Sequence, residues 1–252
     1  MATLAFDRHG SGPALVLLHS LALDRTLWDG MLPHLADRFT VLTPDLPGHG
    51  RSPALAAMSI ESMAEAVAEL VRAEADPPAT VVGLSLGGCV AQALAAGSPE
   101  LVGGLGLVDT TCWYGETAPA DWEARAQRAR TDGLESLAGF QLARWFSPGF
   151  ADTAPGVGEQ LLEVFRATDL DAYVATCRAM GAMDLRDRIP AITVPTSIVV
   201  GADDPATSPE HAREMHRLIP GSTLRVIPRC SHLSAVERPA EVAAVLDETL
   251  FA

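Results

Sequence analysis

The stretch VVGLSLGGCV (Val81–Val90) sets a serine between two glycines at the end of an apolar run. Residues Gly83–Gly87 match the pattern G-x-S-x-G, which is informative where a strand gives way to a helix. The run TVVGL has the character of a buried strand, and LGGCVAQALAAG favours a helix directly after it. We therefore predict that Ser85 lies on a sharp strand-to-helix turn, which needs small residues two positions before and after it. The alternative is a tight turn whose glycines only allow close packing.

Such a turn suits a nucleophile. A serine hydroxyl attacks poorly unless it stands clear of the sheet and a neighbouring base takes its proton. Leu86 would begin the helix with its N–H unbonded and the positive end of the helix dipole behind it. We predict that this N–H is one half of an oxyanion hole, the pair of donors that stabilises a tetrahedral intermediate.

Short apolar runs alternate with longer segments of helical periodicity along most of the chain. This alternation predicts an α/β fold with a mostly parallel central sheet flanked by helices. The runs that we interpret as strands are ALVLLH (14–19), FTVLT (39–43), TVVGL (80–84), GLGLVD (104–109), TSIVVGADD (196–204) and TLRVIP (223–228). The helices between them are predicted near residues 27–37, 60–74, 86–97, 209–218 and 239–250.

The alternation stops between about Cys112 and Arg188. This segment has helical character and holds most of the aromatic residues of the chain. We predict one α/β core, residues 1–111 and 189–252, interrupted by an inserted helical cap at residues 112–188. No internal repeat or low-complexity tract divides the chain further.

The amino-acid composition excludes several classes of partner and of chemistry. A formal net charge of −14 over 252 residues argues against nucleic acid as a partner, and acidic surfaces bind anionic membranes poorly. Lysine is absent, which excludes Schiff-base chemistry on this chain. The four cysteines lack zinc-ligand spacing and are expected to be small buried thiols in a reducing compartment: Cys89, Cys112, Cys177 and Cys230. We therefore expect no metal and no cofactor.

The N-terminal stretch MATLAFDRHGSG lacks the basic segment and apolar run of a signal peptide. No apolar run in the sequence approaches membrane-spanning length. The expectation is a cytoplasmic protein that acts on a small molecule, without nucleic acid or membrane as a partner. The sequence leaves a homo-oligomer open.

A base and an acid for Ser85 are expected at the same end of the sheet, where sites gather in open α/β folds. His232 follows the run TLRVIP, on a loop at the C-terminal end of a predicted strand. Asp203 and Asp204 follow TSIVV in the same way, and Asp109 follows the strand before it. The acid therefore stays open among three residues at this point, and each has turn chemistry as its alternative.

These residues resemble the α/β-hydrolase superfamily over nearly the whole chain. The order serine, acid, histidine is that of the superfamily, and LLHSL, DLPGHGRS and GLSLGG stand where it carries its motifs. The resemblance selects Asp204, because the family spacing in GADDPATSPE runs from Gly201 to Asp204. It also implies that the N–H of Leu21 completes the oxyanion hole with that of Leu86. Ser20 replaces a glycine that is usual in the superfamily, a replacement that enol-lactone hydrolases share.

Within the superfamily, the chain is most similar to the 3-oxoadipate enol-lactonases. The similarity rests on four stretches: HSLALDRTLWD (19–29), LARWFSPGF (142–150), DAYVATCRAM (171–180) and HLSAVERP (232–239). It implies hydrolysis of an ester or lactone through an acyl-enzyme, with Ser85 as nucleophile, His232 as base and Asp204 as the partner of the base. The loop DLPGHG and the stretch DTTCWYGE depart from that family and bear on the substrate.

Enzymes with other activities use the same three catalytic residue types. General carboxylesterases, perhydrolases and hydrolases of carbon–carbon bonds use the same Ser-His-Asp chemistry, whereas a serine nucleophile disfavours haloalkane dehalogenation. A small-molecule receptor with slow or absent turnover is an alternative of a different class on the same fold. Turnover of a chromogenic short-chain ester separates the two classes, because a receptor gives at most a single slow burst.

An enol-lactone that carries a carboxylate needs a local cation, since a net charge of −14 opposes long-range attraction. Arg144 and Arg178 in the cap are the candidates for this cation, with Arg25 beside the oxyanion loop. Trp145 and Trp113 are the aromatic candidates for the wall of the substrate pocket. The alternative for each arginine is a solvated helix face, and for the aromatic residues it is the core.

Overall fold

The computed structural model describes residues 3–251, and its centre is one seven-stranded sheet. The strand order is β1-β3-β2-β4-β5-β6-β7, and only β1 runs antiparallel to its neighbour. The strands are β1 (Phe6–His9), β2 (Ala14–Leu18), β3 (Thr40–Pro44), β4 (Ala79–Leu84), β5 (Val102–Val108), β6 (Thr196–Gly201) and β7 (Thr223–Ile227).

The middle of the sheet is apolar on both faces. Strand β6 is buried at every position, and β2 and β4 are buried at all but one. Parallel strands of this kind need helices on both faces, because neither face has polar side chains to offer to water. The helices outside the β5–β6 connection are α1 (Leu32–Leu35), α2 (Ile60–Glu74), α3 (Leu86–Gly97), and, after β6, α9 (Pro209–Leu218), α10 (Ser234–Glu237) and α11 (Pro239–Leu250).

The connection from β5 to β6 holds five further helices. They are α4 (Ala118–Asp132), α5 (Ala138–Trp145), α6 (Phe150–Thr153), α7 (Val157–Ala167) and α8 (Leu170–Ala182). The two ends of this connection meet in an isolated antiparallel bridge between Trp113 and Asp184, and the N–H of Leu185 donates to the carbonyl of Cys112 over 2.9 Å. We propose on this basis that residues 112–188 form the cap, a unit whose entry and exit are clamped together.

The sheet and its helical layers confirm the predicted α/β-hydrolase fold. Strand β1 was not predicted, because its sequence FDRH has no apolar run and it lies at the edge of the sheet. The helix expected near residues 27–37 is instead a 3₁₀ turn, Arg25–Trp28, followed by the single turn of α1. Asp24 caps the 3₁₀ turn by accepting a hydrogen bond from the N–H of Thr26.

The four cysteines are buried and unbridged. Within residues 3–251 no helix combines the length and the apolar character that a bilayer span requires. Over the same range, no cluster of three or more His, Cys, Asp or Glu side chains is arranged to hold a metal ion.

Candidate active site

Ser85 lies between β4 and α3 in a backbone conformation that a serine rarely adopts, with φ 54° and ψ −113°. The turn is crowded as its sequence predicts. A Cβ atom on Gly83 would collide with the backbone of Gly87, and a Cβ atom on Gly87 would collide with the carbonyl of Leu18. Strain at a single residue persists only where the surroundings enforce it and often marks a functional site. The glycines are thus required for the turn that presents the Ser85 hydroxyl.

The structure brings Ser85, His232 and Asp204 together in one hydrogen-bonded chain. The Ser85 Oγ lies 3.0 Å from His232 Nε2, and His232 Nδ1 lies 2.9 Å from Asp204 Oδ2. The three residues are 4%, 6% and 3% exposed. A carboxylate only accepts, so Nδ1 carries a proton and donates to Asp204, which leaves Nε2 to accept the proton of the Ser85 hydroxyl. This is the geometry in which a histidine acts as a general base toward serine.

Asp204 is held as an anion by four donors. Its Oδ1 accepts from the N–H groups of Ala206 and Thr207 over 2.7 and 3.0 Å, and its Oδ2 accepts from the Thr207 hydroxyl as well as from His232. Burial raises the pKa of the Asp204 carboxyl, but His232 and these backbone donors outweigh it and bring the pKa to about 2. Asp204 therefore stays charged and fixes the orientation of the imidazole.

The two other acids considered from the sequence lie elsewhere. Asp203 is exposed. Asp109 is fully buried, and its two carboxyl oxygens accept from the N–H groups of Gly201 and Ser234 over 2.9 and 2.8 Å. Burial and the charge of Asp204 raise the pKa of Asp109 well above its ordinary value. Asp109 thus ties together the loops that carry Asp204 and His232, without a hydrogen bond to the imidazole.

The two residues whose N–H groups are predicted to form an oxyanion hole are Leu86, at the start of α3, and Leu21, in the turn after β2. Leu86 is the first residue of α3, where backbone N–H groups have no acceptor within the helix. Leu21 lies in the turn after β2 and lines the same cavity as Ser85. His19 fixes this turn, since its Nδ1 donates to the carbonyl of Ser20 and its Nε2 accepts from the N–H of Leu46, both over 2.8 Å. Burial lowers the pKa of His19, which keeps the ring neutral in this bridging role.

The inner cavity over Ser85 is walled by both the core and the cap. Arg144 and Trp145, expected there from the sequence, line it. The cap also contributes side chains that sequence reasoning missed: Tyr114, Trp122, Arg125, Gln141 and Met180. On a helix, an arginine that faces a cavity has the same local sequence as one that faces water. The one available signal for Arg125 was its place in the segment rich in aromatic residues.

Three other candidates lie away from the cavity, which corrects their predicted role. Arg178 forms a bidentate pair with Glu123 on the surface, over 2.7 and 2.8 Å, and is half exposed. Trp113 packs under the guanidinium of Arg186, with the Cζ 3.5 Å from the ring centroid. Arg25 is held by Asp7 and Asp45 over 2.6 and 2.9 Å. Each arginine is already neutralised by an acid, so it has no free charge to offer a ligand.

The loop of His232 is hydrogen-bonded to the end of α5. The Ser231 hydroxyl donates to the carbonyl of Arg144 over 2.9 Å, and the N–H of Leu233 donates to the carbonyl of Trp145 over 2.9 Å. This histidine–cap seam, as we call the contact between residues 231–233 and 144–145, joins the base to the wall of the cavity.

Known proteins resemble this chain over most of its length. The alpha/beta hydrolase family matches residues 15–245. A 3-oxoadipate enol-lactonase of Acinetobacter baylyi is 32% identical over 90% of this chain and 84% of its own. A pimeloyl-[acyl-carrier protein] methyl ester esterase of Chromobacterium violaceum is 33% identical over 96% of this chain and 95% of its own. The crystal structure of the enol-lactonase from Burkholderia xenovorans LB400 superposes with a TM-score of 0.93, at 32% identity, covering 98% of this chain and 96% of that one. Sequence, fold and site geometry agree, and the chain belongs to the alpha/beta hydrolase family.

Proposed function

We propose that the protein hydrolyses a carboxylic ester or lactone through an acyl-enzyme, with an enol-lactone such as 3-oxoadipate enol-lactone as the preferred substrate. The observation that carries the proposal is the buried chain from Ser85 through His232 to Asp204. The enol-lactonases among its relatives support the choice of an enol-lactone. The catalytic residues in this proposal are Ser85, His232 and Asp204, with Leu21 and Leu86 as the oxyanion donors.

In the first half of the reaction, the Ser85 Oγ attacks the carbonyl carbon while its proton passes to His232 Nε2. The negative charge that develops on the carbonyl oxygen accepts hydrogen bonds from the N–H groups of Leu21 and Leu86. Collapse of the tetrahedral intermediate breaks the bond to the leaving oxygen, which takes the proton from His232. An enol is a better leaving group than an alkoxide, so this step needs little further acid assistance. The products are the acylated Ser85 and a free enol, which remains part of the same molecule when a lactone opens.

In the second half, a water molecule replaces the serine as the nucleophile. His232 Nε2 takes one proton from the water as its oxygen attacks the acyl carbon, and the same two N–H groups hold the oxyanion. Collapse releases the acid and returns the proton to the Ser85 Oγ. Asp204 remains charged throughout, because its pKa lies at about 2 and its role is to hold the imidazolium in place.

Arg144 is the proposed cation for a carboxylate on the substrate. It lines the inner cavity with Ser85 and is half-buried, and within residues 3–251 it has no acid within ion-pair distance. Trp145, which is buried and lines the same cavity, supplies apolar wall beside it. A charge-assisted bond between a guanidinium and a carboxylate is among the stronger polar contacts that a protein can offer.

A general carboxylesterase is the second candidate. The relative that is named a methyl ester esterase favours it, since that protein and this chain match over nearly their full lengths. The two candidates share every chemical step and differ only in the substrate.

The test is a substrate panel with the purified protein. Opening of the enol-lactone is followed by ultraviolet absorbance beside simple esters and saturated lactones. We expect kcat/KM to be highest for the enol-lactone, and Ser85→Ala to abolish turnover of every substrate. Higher kcat/KM for simple esters would favour the carboxylesterase. No turnover of any ester or lactone by a folded protein would contradict both and favour a receptor.

A further inference from the structure

Within residues 3–251, three arginines of the cap form no ion pair, and two of them, Arg125 and Arg144, line the inner cavity, whereas the third, Arg128, donates to the carbonyl of Ser136. Exposed arginines such as Arg38, Arg166 and Arg178 each pair with an aspartate or glutamate. Arg125 and Arg144 form no ion pair within residues 3–251, although the sequence holds 32 acidic residues against 18 basic ones. The chain is strongly acidic, yet two arginines beside Ser85 keep their positive charge. The chemistry proposed for Ser85, His232 and Asp204 does not require these charges.

Arg125 is held by neutral groups. Its Nε donates to the hydroxyl of Tyr173 over 2.7 Å, and its Nη2 donates to Oε1 of Gln141 over 2.9 Å. Both partners are buried, and burial raises the pKa of Tyr173 above its ordinary value, so the phenol stays neutral. These bonds orient the guanidinium without cancelling its charge, and Nη1 is left for another acceptor.

Aromatic rings complete the support of the two cations. The Cζ of Arg125 lies 5.0 Å from the ring centroid of Trp122 and 5.6 Å from that of Phe140. The Cζ of Arg144 lies 4.7 Å from the same Phe140 ring. A cation over an aromatic face is stabilised by the ring quadrupole while it keeps its full charge. The exposed Phe140 ring is thus a shared aromatic contact of both guanidiniums.

The two guanidiniums lie where the inner cavity opens outward. The inner cavity, which contains Ser85, has a volume of about 30 Å³. An outer chamber of about 400 Å³ adjoins it, and Arg125 and Arg144 line both. The inner cavity is too small for a whole lactone or ester, so the remainder of a substrate with its carbonyl at Ser85 must extend toward the outer chamber, past residues that line both spaces, among them Arg125 and Arg144.

We propose that Arg125 and Arg144 together form a carboxylate-binding site at this opening, and that Arg125 is a specificity-determining residue for esters and lactones that already carry one carboxylate. The inference rests on the proposed function of Ser85 and adds the substrate class and a residue for it. Without ligand the two guanidiniums repel each other, and burial together with the charge of Arg125 lowers the pKa of Arg144. A carboxylate between them removes the repulsion, which is a gain that a neutral ester cannot provide.

The experiment compares two chromogenic esters that differ by one carboxylate, 4-nitrophenyl hydrogen adipate and 4-nitrophenyl hexanoate. The variants are Arg125→Met, Arg144→Met, the double variant, and Arg125→Lys. Arg178→Met is the matched control, because Arg178 lies on the same cap but is paired with Glu123. Inhibition of each variant by adipate is measured with the neutral ester as the reporter, which gives binding independently of acidic turnover.

We expect Arg125→Met to lower kcat/KM for the acidic ester by roughly 10- to 100-fold, mainly through KM, while the neutral ester changes less than about threefold. Arg125→Lys should restore part of the loss, since it returns the charge but not the planar fork. The loss in the double variant should differ from the product of the single losses, because both groups bind one carboxylate. Arg178→Met should leave both esters unchanged.

Equal losses for both esters, together with a lower melting temperature, would overturn the proposal and make Arg125 a structural brace for Tyr173 and Gln141. Unchanged inhibition by adipate in Arg125→Met would overturn it as well, and so would a wild-type preference for the neutral ester. In each of these outcomes, Ser85-dependent hydrolysis of 4-nitrophenyl hexanoate would leave the proposed function intact. Loss of that Ser85 dependence would reject the proposed function itself.

Discussion

The core and the cap both contribute to the cavity, but they hold their side chains in different ways. Ser85, Asp204 and His232 follow β4, β6 and β7, and backbone turns and N–H groups fix their positions. Arg125 and Arg144 project from helices and are held by other side chains. Under the proposed function, the core supplies the groups that break the bond, and the cap supplies the groups that select the substrate. Changes in the core should lower kcat for every substrate, and changes in the cap should separate one substrate class from another.

The largest effect is expected at the nucleophile. Ser85→Ala removes the attacking oxygen, and we expect kcat to fall roughly 10⁴- to 10⁶-fold for acidic and neutral esters alike. The fold should persist, because the strained turn depends on Gly83 and Gly87 rather than on the hydroxyl. Steady-state kinetics with circular dichroism measures both. Substantial activity in a folded Ser85→Ala protein would contradict the assignment of the whole site.

The next effect separates two adjacent acids of the core. Asp204→Asn replaces an acceptor of the His232 Nδ1–H by a group that permits the wrong tautomer, so we expect kcat to fall about 10⁴-fold. Asp203→Asn should cost less than about threefold, because Asp203 is exposed and outside the hydrogen-bonded chain. The two variants serve as controls for each other in the same kinetic assay. A large loss in Asp203→Asn alone, or only in Asp109→Asn, would place the third member elsewhere.

In the cap, two arginines can be compared in the same way as the two acids of the core. The expected loss of kcat/KM is smaller. Arg144→Ala should lower kcat/KM for an acidic lactone by roughly 10- to 100-fold, since Arg144 lines the cavity and has no acidic partner among residues 3–251. Arg178→Ala should leave it unchanged, since Glu123 occupies that guanidinium on the surface. Competition between the acidic lactone and a neutral ester measures the ratio directly. Equal behaviour of the two variants would remove the distinction between paired and unpaired arginines.

The smallest effect concerns the pH dependence of core stability. Burial and the nearby His19 lower the pKa of His49 to about 3, whereas an unfolded histidine titrates near 6.5. The contribution of neutral His49 to the free energy of unfolding is therefore complete above about pH 6.5. It is lost as the pH falls toward 3, because the unfolded chain takes up the proton first. Between pH 7 and 5 we expect the free energy of unfolding to fall by up to about 2 kcal/mol from this residue.

Urea unfolding at both pH values tests this expectation. His49→Asn keeps a donor toward the carbonyl of Pro47, which His49 Nδ1 contacts over 3.0 Å, and should lose this part of the pH dependence. The exposed His34→Asn variant serves as the control. An identical pH dependence in His49→Asn and in the wild type would show that His49 is not the group responsible.

The sequence predicted the core far better than the cap, for a physical reason. A sharp turn accepts few residue types, so the turn at Ser85 can be recognised in the sequence from Gly83 and Gly87. A carboxylate-binding helix face has no such constraint, because Arg125, Arg144 and Arg178 are all compatible with any exposed turn of helix. Whether each arginine meets an acid depends on packing between α4, α5 and α8, which local periodicity does not encode. Strand β1 was missed for a related reason, since an edge strand of four mixed residues buries too little to show a pattern.

The histidine–cap seam constrains how the cap of this protein could be exchanged for another. Because Ser231 and Leu233 donate to the main-chain carbonyls of Arg144 and Trp145, side chains at 144 and 145 are replaceable without loss of these bonds, but the path of the main chain is not. A chimaera that grafts a foreign cap onto this core should therefore be joined so that the last turn of α5 is retained. We expect libraries that vary only side chains on that turn to change substrate preference while His232 keeps its position, and insertions or deletions there to disturb both.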